Sequence, residues 1–413
     1  MKPGHAEFEH NLPGRHRSAR LWHVVFQTST IIGVIALTAL LYNVINQSLG
    51  LAAIQNEVDP DTLAVNGVPL EELSKEQLVQ ILQENVSRGL FRRLENDQPF
   101  AERTRENVYE LVIERVVEPH IVETWSLYDS LFNQPMIRSE VAEKYPRAEL
   151  EFVSWLNSKL IRSPQSSDPE KAGVRTAILG SLWTIAITIL FAFPLGVGAA
   201  IYLEEYASDN WINRVIRTNI NNLAGVPSII YGMLGLAIFV RALEPLSSGT
   251  LFGLADPTTA NGRTIFSAGL TLGLLILPLI IINGQEAIRA VPNSLRQASY
   301  GLGATQWQTV WHHVLPNALP GILTGTILAI SRAIGETAPL VVVGASTFIT
   351  VDPTGPFSKF TTLPIQIYQW TARPQDEFRN IAAAAIIVLL ILLLTLNATA
   401  VLLRNRYSRR VSL

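Results

Sequence analysis

The chain has 413 residues, of which 48% are hydrophobic and only 16% charged, with a mean hydropathy of +0.26. Ordinary globular domains carry roughly 25% charged residues, so a conventional soluble domain is excluded for much of the length, and the formal net charge of −2 says nothing in favour of a nucleic-acid partner. Cysteine is absent, which excludes disulfide and thiolate chemistry.

The shortage of charge is local. A membrane span needs about 20 mostly apolar residues, and six segments qualify, at 22–45, 178–203, 218–243, 265–283, 317–347 and 381–403. The first follows a basic tail (1–21) and could be a signal peptide. Its apolar run exceeds the usual ~7–15 residues, and no small-residue cleavage site follows, so it reads as a retained helix. Between the first two spans lies an insert, 46–175, rich in charge of both signs. Ser74 and Gln77 stand at capping-box spacing, and Leu78, Ile81, Leu82, Val86, Leu90 and Leu94 form one helical stripe. The insert therefore reads as helical, broken at Pro119, with "SPQSSDPEKAG" (163–173) as a linker back to the membrane. It holds no catalytic constellation, so packing or docking is its expected role.

Five spans then follow over 176–403, ending in a basic tail, 404–413. Lys2, Arg15, Arg17, Arg20, Arg214, Arg217, Arg289, Arg296, Arg404, Arg406, Arg409 and Arg410 fall on one side of the predicted topology, against Arg263, Lys359, Arg373 and Arg379 on the other. That bias places both termini in the cytoplasm and the insert outside. The architecture expected is an all-α integral membrane protein with six transmembrane helices and a helical extracytoplasmic insert.

No G-x-x-x-x-G-K-[ST] occurs, so the chain cannot itself cradle ATP in the P-loop manner. "GLGATQ" (301–306) lacks the third glycine of a dinucleotide fingerprint, and adjacent His312 and His313 point about 100° apart on a helix, a poor metal pair. Catalysis, metal binding and a cofactor in this chain are not expected. The loop 284–316, predicted cytoplasmic, reads as one or two short helices with Leu295, Ala298, Leu302, Trp307, Val310 and Trp311 as an apolar side, a bend at Gly301 and Gly303, and Pro316 at the return to the membrane. Such a unit suits a groove in a soluble partner, the alternative being a helix lying on the lipid surface.

"SRAIGETAP" (331–339) sets Arg332 and Glu336 inside the fifth apolar segment. A charge at the bilayer centre costs between ~2.5 and ~17 kcal/mol, and intramembrane charges usually mark substrate paths. A continuous helix over 317–347 would be about 45 Å long with Arg332 at its middle. The pair, at i and i+4, shares a face. Arg332 offers a fork of donors suited to oxyanions, and Glu336 would orient it and keep it from holding an anion too tightly. A self-neutralised pair that only fixes packing is the alternative. Gly335 and Pro339 make a break beside the pair plausible, and Thr337 lies within it. In the third span Asn219, Asn221, Asn222 and Ser228 are too polar for lipid, and "GVPS" (225–228), with Pro227, should kink the helix. Asn222 and Ser228 are placed on the route opposite Arg332. Gly321/Gly325 and Gly269/Gly273 have the spacing of close helix packing.

The loop resembles the cytoplasmic "EAA" loop of ABC-importer permeases, of which type I architecture is the expectation. Gln297-Ala298-Ser299, Gly303 and Leu315-Pro316 match its E-A-A, Gly and Leu-Pro positions, with Gln for Glu, Ser for the second Ala, and His313 where Ile is usual. The resemblance implies that this loop docks into a separate ATP-binding subunit and couples its closure to the spans. "RTAILGSLWTIAITILFAFPLGVGAAIYLEEY", "NLAGVPSIIYGMLGL" and "LAISRAIGETAPLVVVGA" are similar to the phosphate-specific branch of that family, the PstA and PstC permeases, and most to PstA. This implies phosphate import with a second, PstC-like permease, two PstB-like subunits that bind ATP and Mg, and an extracytoplasmic PstS-like phosphate-binding protein. A permease for another oxyanion (sulfate, molybdate, phosphonate) and a membrane sensor using the insert are the rival readings. No signalling domain follows the last span, only "RNRYSRRVSL". A stand-alone secondary carrier leaves the loop unexplained.

Overall fold

The computed structural model describes residues 12–65, 67–254 and 262–411, with side chains described from residue 14 to residue 406. Lys2 and the side chains of Arg409 and Arg410, three of the residues that carry the charge bias, lie outside the described residues.

Helix α1 (Leu12–Ser48) is exposed along its apolar length and meets the rest of the membrane region chiefly at the C-terminal helix. Strand β1 (Leu49–Asn56) follows directly. Its antiparallel neighbours are β2 (Pro119–Thr124) and β3 (Glu149–Ser154), in the order β2-β1-β3, with a bulge at Ala53/Ile54. The insert is thus not wholly helical, as expected from its pattern, but a sheet with helices around it.

These helices are α2 (Lys75–Asn85), α3 (Arg88–Asp97), α4 (Arg105–Val112), α5 (Leu127–Phe132), α6 (Gln134–Lys144) and α7 (Ser158–Arg162). The capping box at Ser74 and Gln77 forms, and Leu78, Ile81 and Leu82 are buried with Phe100, Val108 and Val112. The predicted stripe is divided between two helices, because Ser87 stops α2 and caps α3 by accepting from Leu90 N–H. Pro119 does end the helical run: a π turn (Ile113–Val117) closes on Glu118 at φ 42°, and β2 begins.

The segment 163–173 is pinned and not a loose linker. Gln165, 2% exposed, donates to Thr347 O at 3.0 Å and accepts from Ile349 N–H at 3.1 Å. Glu170 accepts from Ile121 N–H at 2.7 Å, and burial raises its pKa above the ordinary carboxylate range against that bond's opposing effect. A raised folded pKa means that the folded state binds the extra proton. Stability is therefore fullest below the ordinary value and falls as pH rises through the folded one. Glu170→Gln keeps an acceptor for Ile121 and removes the desolvated charge. Its melting temperature is expected to exceed wild type at pH 7–8, with the difference vanishing near pH 4; a lower value at pH 7–8 contradicts this.

The membrane region begins with α8 (Arg175–Ile201), extended by a π turn (Tyr202–Tyr206). It continues with α9 (Trp211–Ala224), α10 (Ser228–Gly235) with a π turn over Leu236–Ala242, and short α11 (Glu244–Ser247). Then come α12 (Ile265–Arg289), α13 (Asn293–Gly301), α14 (Gln306–Thr309), a π turn (Val310–Val314), α15 (Leu315–Gly335), α16 (Ala338–Val343), α17 (Leu363–Thr371) and α18 (Asp376–Val411). Among the described residues five helices are long and apolar enough to span, or six if the bent pair α9–α10 counts as one.

Helix α12 is the hub, with Leu272, Ile276 and Ile280 fully buried. Lipid removes most of the hydrophobic drive between helices, so close approach and dispersion hold them. The two glycine pairs serve this purpose. A Cβ on Gly269 or Gly273 would strike Ile187 or Phe191 of α8, and one on Gly321 or Gly325 would strike Ala287 or Asn283 of α12. The insert sits at one end of the bundle, where Arg175 pairs with Asp352 at 2.9 Å and Asn380 donates to Thr124 at 3.0 Å. The loop 284–316 sits at the other end, against the last turn of α8.

Candidate substrate pathway and coupling surface

The two polar stretches in the membrane region are two broken helices that meet. Between α9 and α10 the chain turns by 107° at Gly225-Val226-Pro227, so the kink expected at 225–228 is a sharp bend within 218–243. Pro227 has no N–H to offer Leu223 O. That carbonyl accepts instead from Val226 N–H at 3.0 Å and from the hydroxyl of buried Tyr231 at 2.8 Å. Asn222 and Ser228 flank the bend, Asn222 exposed and Ser228 half-buried.

The second break replaces the long helix expected over 317–347. Helix α15 stops at Gly335, Glu336 is extended (φ −76°, ψ 126°), and α16 starts at Ala338. Pro339 in the first turn of α16 cannot donate to the carbonyl of residue 335, which weakens the ladder at this point and suits the start of a new helix. Gly335 needs no left-handed backbone, and nothing would lie within 4 Å of a Cβ there, so this side of the break is open. Arg332 is therefore in the last turn of α15 and not at a helix middle, ~26 Å along the axis from Leu315.

The pair itself forms, with Arg332 Nε 3.4 Å from Glu336 Oε1. The arginine side chain is 45% exposed and the glutamate 19%. Around it the motif is anchored: Ala333 and Ile334 are in the core, and Ser331 donates to Asn397 of α18 at 2.7 Å. The breaks touch where Gly232 of α10 faces Pro339 of α16, so closely that a Cβ would lie 2.7 Å from Pro339 Cα. Thr337 sits in the second break, half-buried. Among the described residues no hydrogen bond or ion pair joins Asn222 or Ser228 to Arg332 or Glu336.

At the loop end, α12 runs on to Arg289, α13 carries Gln297 and Ala298 exposed, and Ser299 is 5% exposed, its hydroxyl 2.9 Å from that of Thr309. Gly303 turns the chain at φ +83° with nothing around it. Thr305 and Gln308 then form a capping box, and the helix continues through Leu315 and Pro316 without interruption, so Pro316 is not a break. Of the expected apolar side only Val310 is buried. Leu302 is 91% exposed, and Trp307 and Trp311 stack at 5.4 Å, both exposed. The loop presents an apolar, aromatic face outward. Alanine at 303 meets no clash but must hold a left-handed backbone, at ~1–2 kcal/mol. Gly303→Ala is expected to lower the melting temperature of the purified protein by a few degrees with expression retained; a wild-type melting temperature contradicts that.

Behind the loop, Arg296 pairs with Glu205 at 2.6 Å, the two side chains 15% and 6% exposed. Arg289 grips Glu204 with both Nε and Nη2 at 3.1 Å, and Arg217 approaches Glu204 at 3.8 Å.

Residues 192–413 match the family described as binding-protein-dependent transport system inner membrane component. The chain belongs to that family. It is a multi-pass membrane protein. Among its relatives are the phosphate transport system permease protein PstA 1 of Mycobacterium tuberculosis, strain H37Rv, 37% identical over 58% of this chain and 71% of the relative, and PstA of Pasteurella multocida, 32% identical over 60% and 82%. PstC of Pasteurella multocida is 34% identical over 43% of this chain and 58% of its own length. A solved MetNI methionine ABC transporter is 21% identical with a TM-score of 0.42, over 60% of this chain and 99% of that one.

In this permease Glu204 and Glu205 went unremarked in the sequence, where "YLEEY" looks like the ordinary polar end of a span. The signal was two adjacent acids at the end of a span, against two arginines, Arg289 and Arg296, in the loop 284–316.

Proposed function

We propose that this chain is one of two permease subunits of an ATP-driven inorganic phosphate importer. Its identity to phosphate permeases of the PstA type, with an exposed arginine fork at a broken helix, carries the reading. Arg332 contacts the anion, Glu336 orients it and weakens its hold, and Asn222, Ser228 and Thr337 line the same route. Gln297, Ala298, Ser299, Gly303, Leu315 and Pro316 belong to the element that docks on the ATP-binding subunit. Two such subunits hold ATP and Mg, a second PstC-like permease completes the pathway, and a PstS-like protein delivers phosphate from outside. The termini and the loop 284–316 face the cytoplasm, with the insert on the opposite side of the inner membrane.

The insert and the loop at opposite ends of the bundle, and an outward aromatic face on the loop, favour this arrangement over a sensor. Deleting the gene in a host that depends on this system at low phosphate tests it. Loss of labelled-phosphate uptake, restored by the wild-type chain, is expected; unchanged phosphate uptake with loss of sulfate or phosphonate uptake contradicts it.

A further inference from the structure

We propose that Glu204 and Glu205 form the bracket that transmits movement of the coupling helix α13 to the broken helices; this rests on α13 being the ATPase-docking element. The guanidinium of Arg296 uses its whole fork. Nε and Nη2 bind Glu205, Nη1 donates to Val291 O at 2.7 Å, and Nη2 donates to Ile288 O at 2.9 Å. One side chain of α13 is thereby fixed to the end of α12 and to the end of α8 together. Gln306 of α14 adds a bond to Glu205 O. Glu204, one residue earlier, points to a different side and holds Arg289 of α12 and Arg217 of α9.

The two acids lie in the π turn Tyr202–Tyr206, an interruption often found at functional sites. Apolar side chains would fasten these helices at least as stably, because a buried ion pair roughly cancels its own desolvation. What the pairs add is registry: a guanidinium fork on a carboxylate allows one orientation and resists sliding. A tilt of α13 is therefore passed to α8 through Arg296 and Glu205, and on to α9 through the looser Glu204–Arg217 ion pair, and is not absorbed at the Gly301–Gly303 corner. From α9 the displacement reaches the 107° bend capped by Tyr231, then Gly232 against Pro339, then Glu336 and Arg332.

The test is the number of phosphates imported per ATP hydrolysed, measured on the full reconstituted complex. Glu205→Gln and Arg296→Gln are each expected to lower this ratio by about 10-fold while ATP hydrolysis stays within about 2-fold of wild type. The double variant is expected to be no worse than the worse single, since the residues act as one contact. Should either glutamine variant fail to assemble, Arg296→Lys keeps the charge but cannot reach Glu205, Val291 O and Ile288 O at once, and is expected to show the same lowered ratio. Wild-type stoichiometry in these variants, parallel loss of uptake and hydrolysis, or losses that multiply in the double variant would each overturn the bracket. A wild-type complex that hydrolyses ATP but imports no phosphate overturns the proposed function, and the bracket with it.

Discussion

Alanine at position 332 is expected to reduce ATP-driven phosphate uptake by about 100-fold, near the upper end for losing one hydrogen bond to a charged group, while the complex still assembles. Assembly should survive because the Arg332 side chain is 45% exposed and among the described residues pairs with Glu336 alone, whereas Ala333 and Ile334 beside it supply the packing. Removing the guanidinium leaves Glu336 as an unpaired negative charge beside the route, which adds repulsion of the anion to the lost contact. Lysine should recover part of the activity, since it restores charge but not the two-pronged geometry. Uptake of the alanine variant at the wild-type rate would mean that the pair only fixes packing. Uptake counted against the amount of assembled complex separates these outcomes.

Valine at position 232 is expected to act on assembly and not on the anion. Gly232 meets Pro339 Cα at 2.7 Å and Pro339 O at 2.9 Å from where a Cβ would stand, and these are backbone atoms that cannot rotate away. Forcing a branched side chain between α10 and α16 costs about 3 kcal/mol, at the upper end for overpacking. Separating the two breaks also exposes backbone groups that lipid cannot satisfy. Little folded complex should be recovered, and what remains should melt well below wild type in a detergent thermal-shift measurement. A variant that melts with wild type would show that the two breaks do not support each other.

The spans were legible because a bilayer imposes a long apolar run: 178–203 falls within α8 and its π turn, and 265–283 and 381–403 fall within α12 and α18. The breaks were legible in kind, because each proline comes with polar residues and a glycine, whereas Pro194, Pro278 and Pro320 stand in apolar runs that stay helical, but they were not legible in extent. Nothing in "GETAP" says that α15 ends at Gly335 and not some residues later; that follows from Pro339 packing on Gly232, a contact between segments about a hundred positions apart in sequence. The sheet in the insert was hidden for a similar reason. Strands β1, β2 and β3 are six to eight residues long and widely spaced in the chain, so their pairing leaves no local periodicity. The Glu204 and Glu205 contacts are likewise non-local, reaching 85 and 91 residues ahead.

Purified complex in proteoliposomes, loaded with ATP and supplied with the phosphate-binding protein and labelled phosphate, tests the central claim most directly. Uptake is expected to require ATP, to be unaffected by a large excess of sulfate, and to be lost with Arg332→Ala. Uptake that sulfate abolishes, or that proceeds without ATP, would contradict a phosphate importer of this kind.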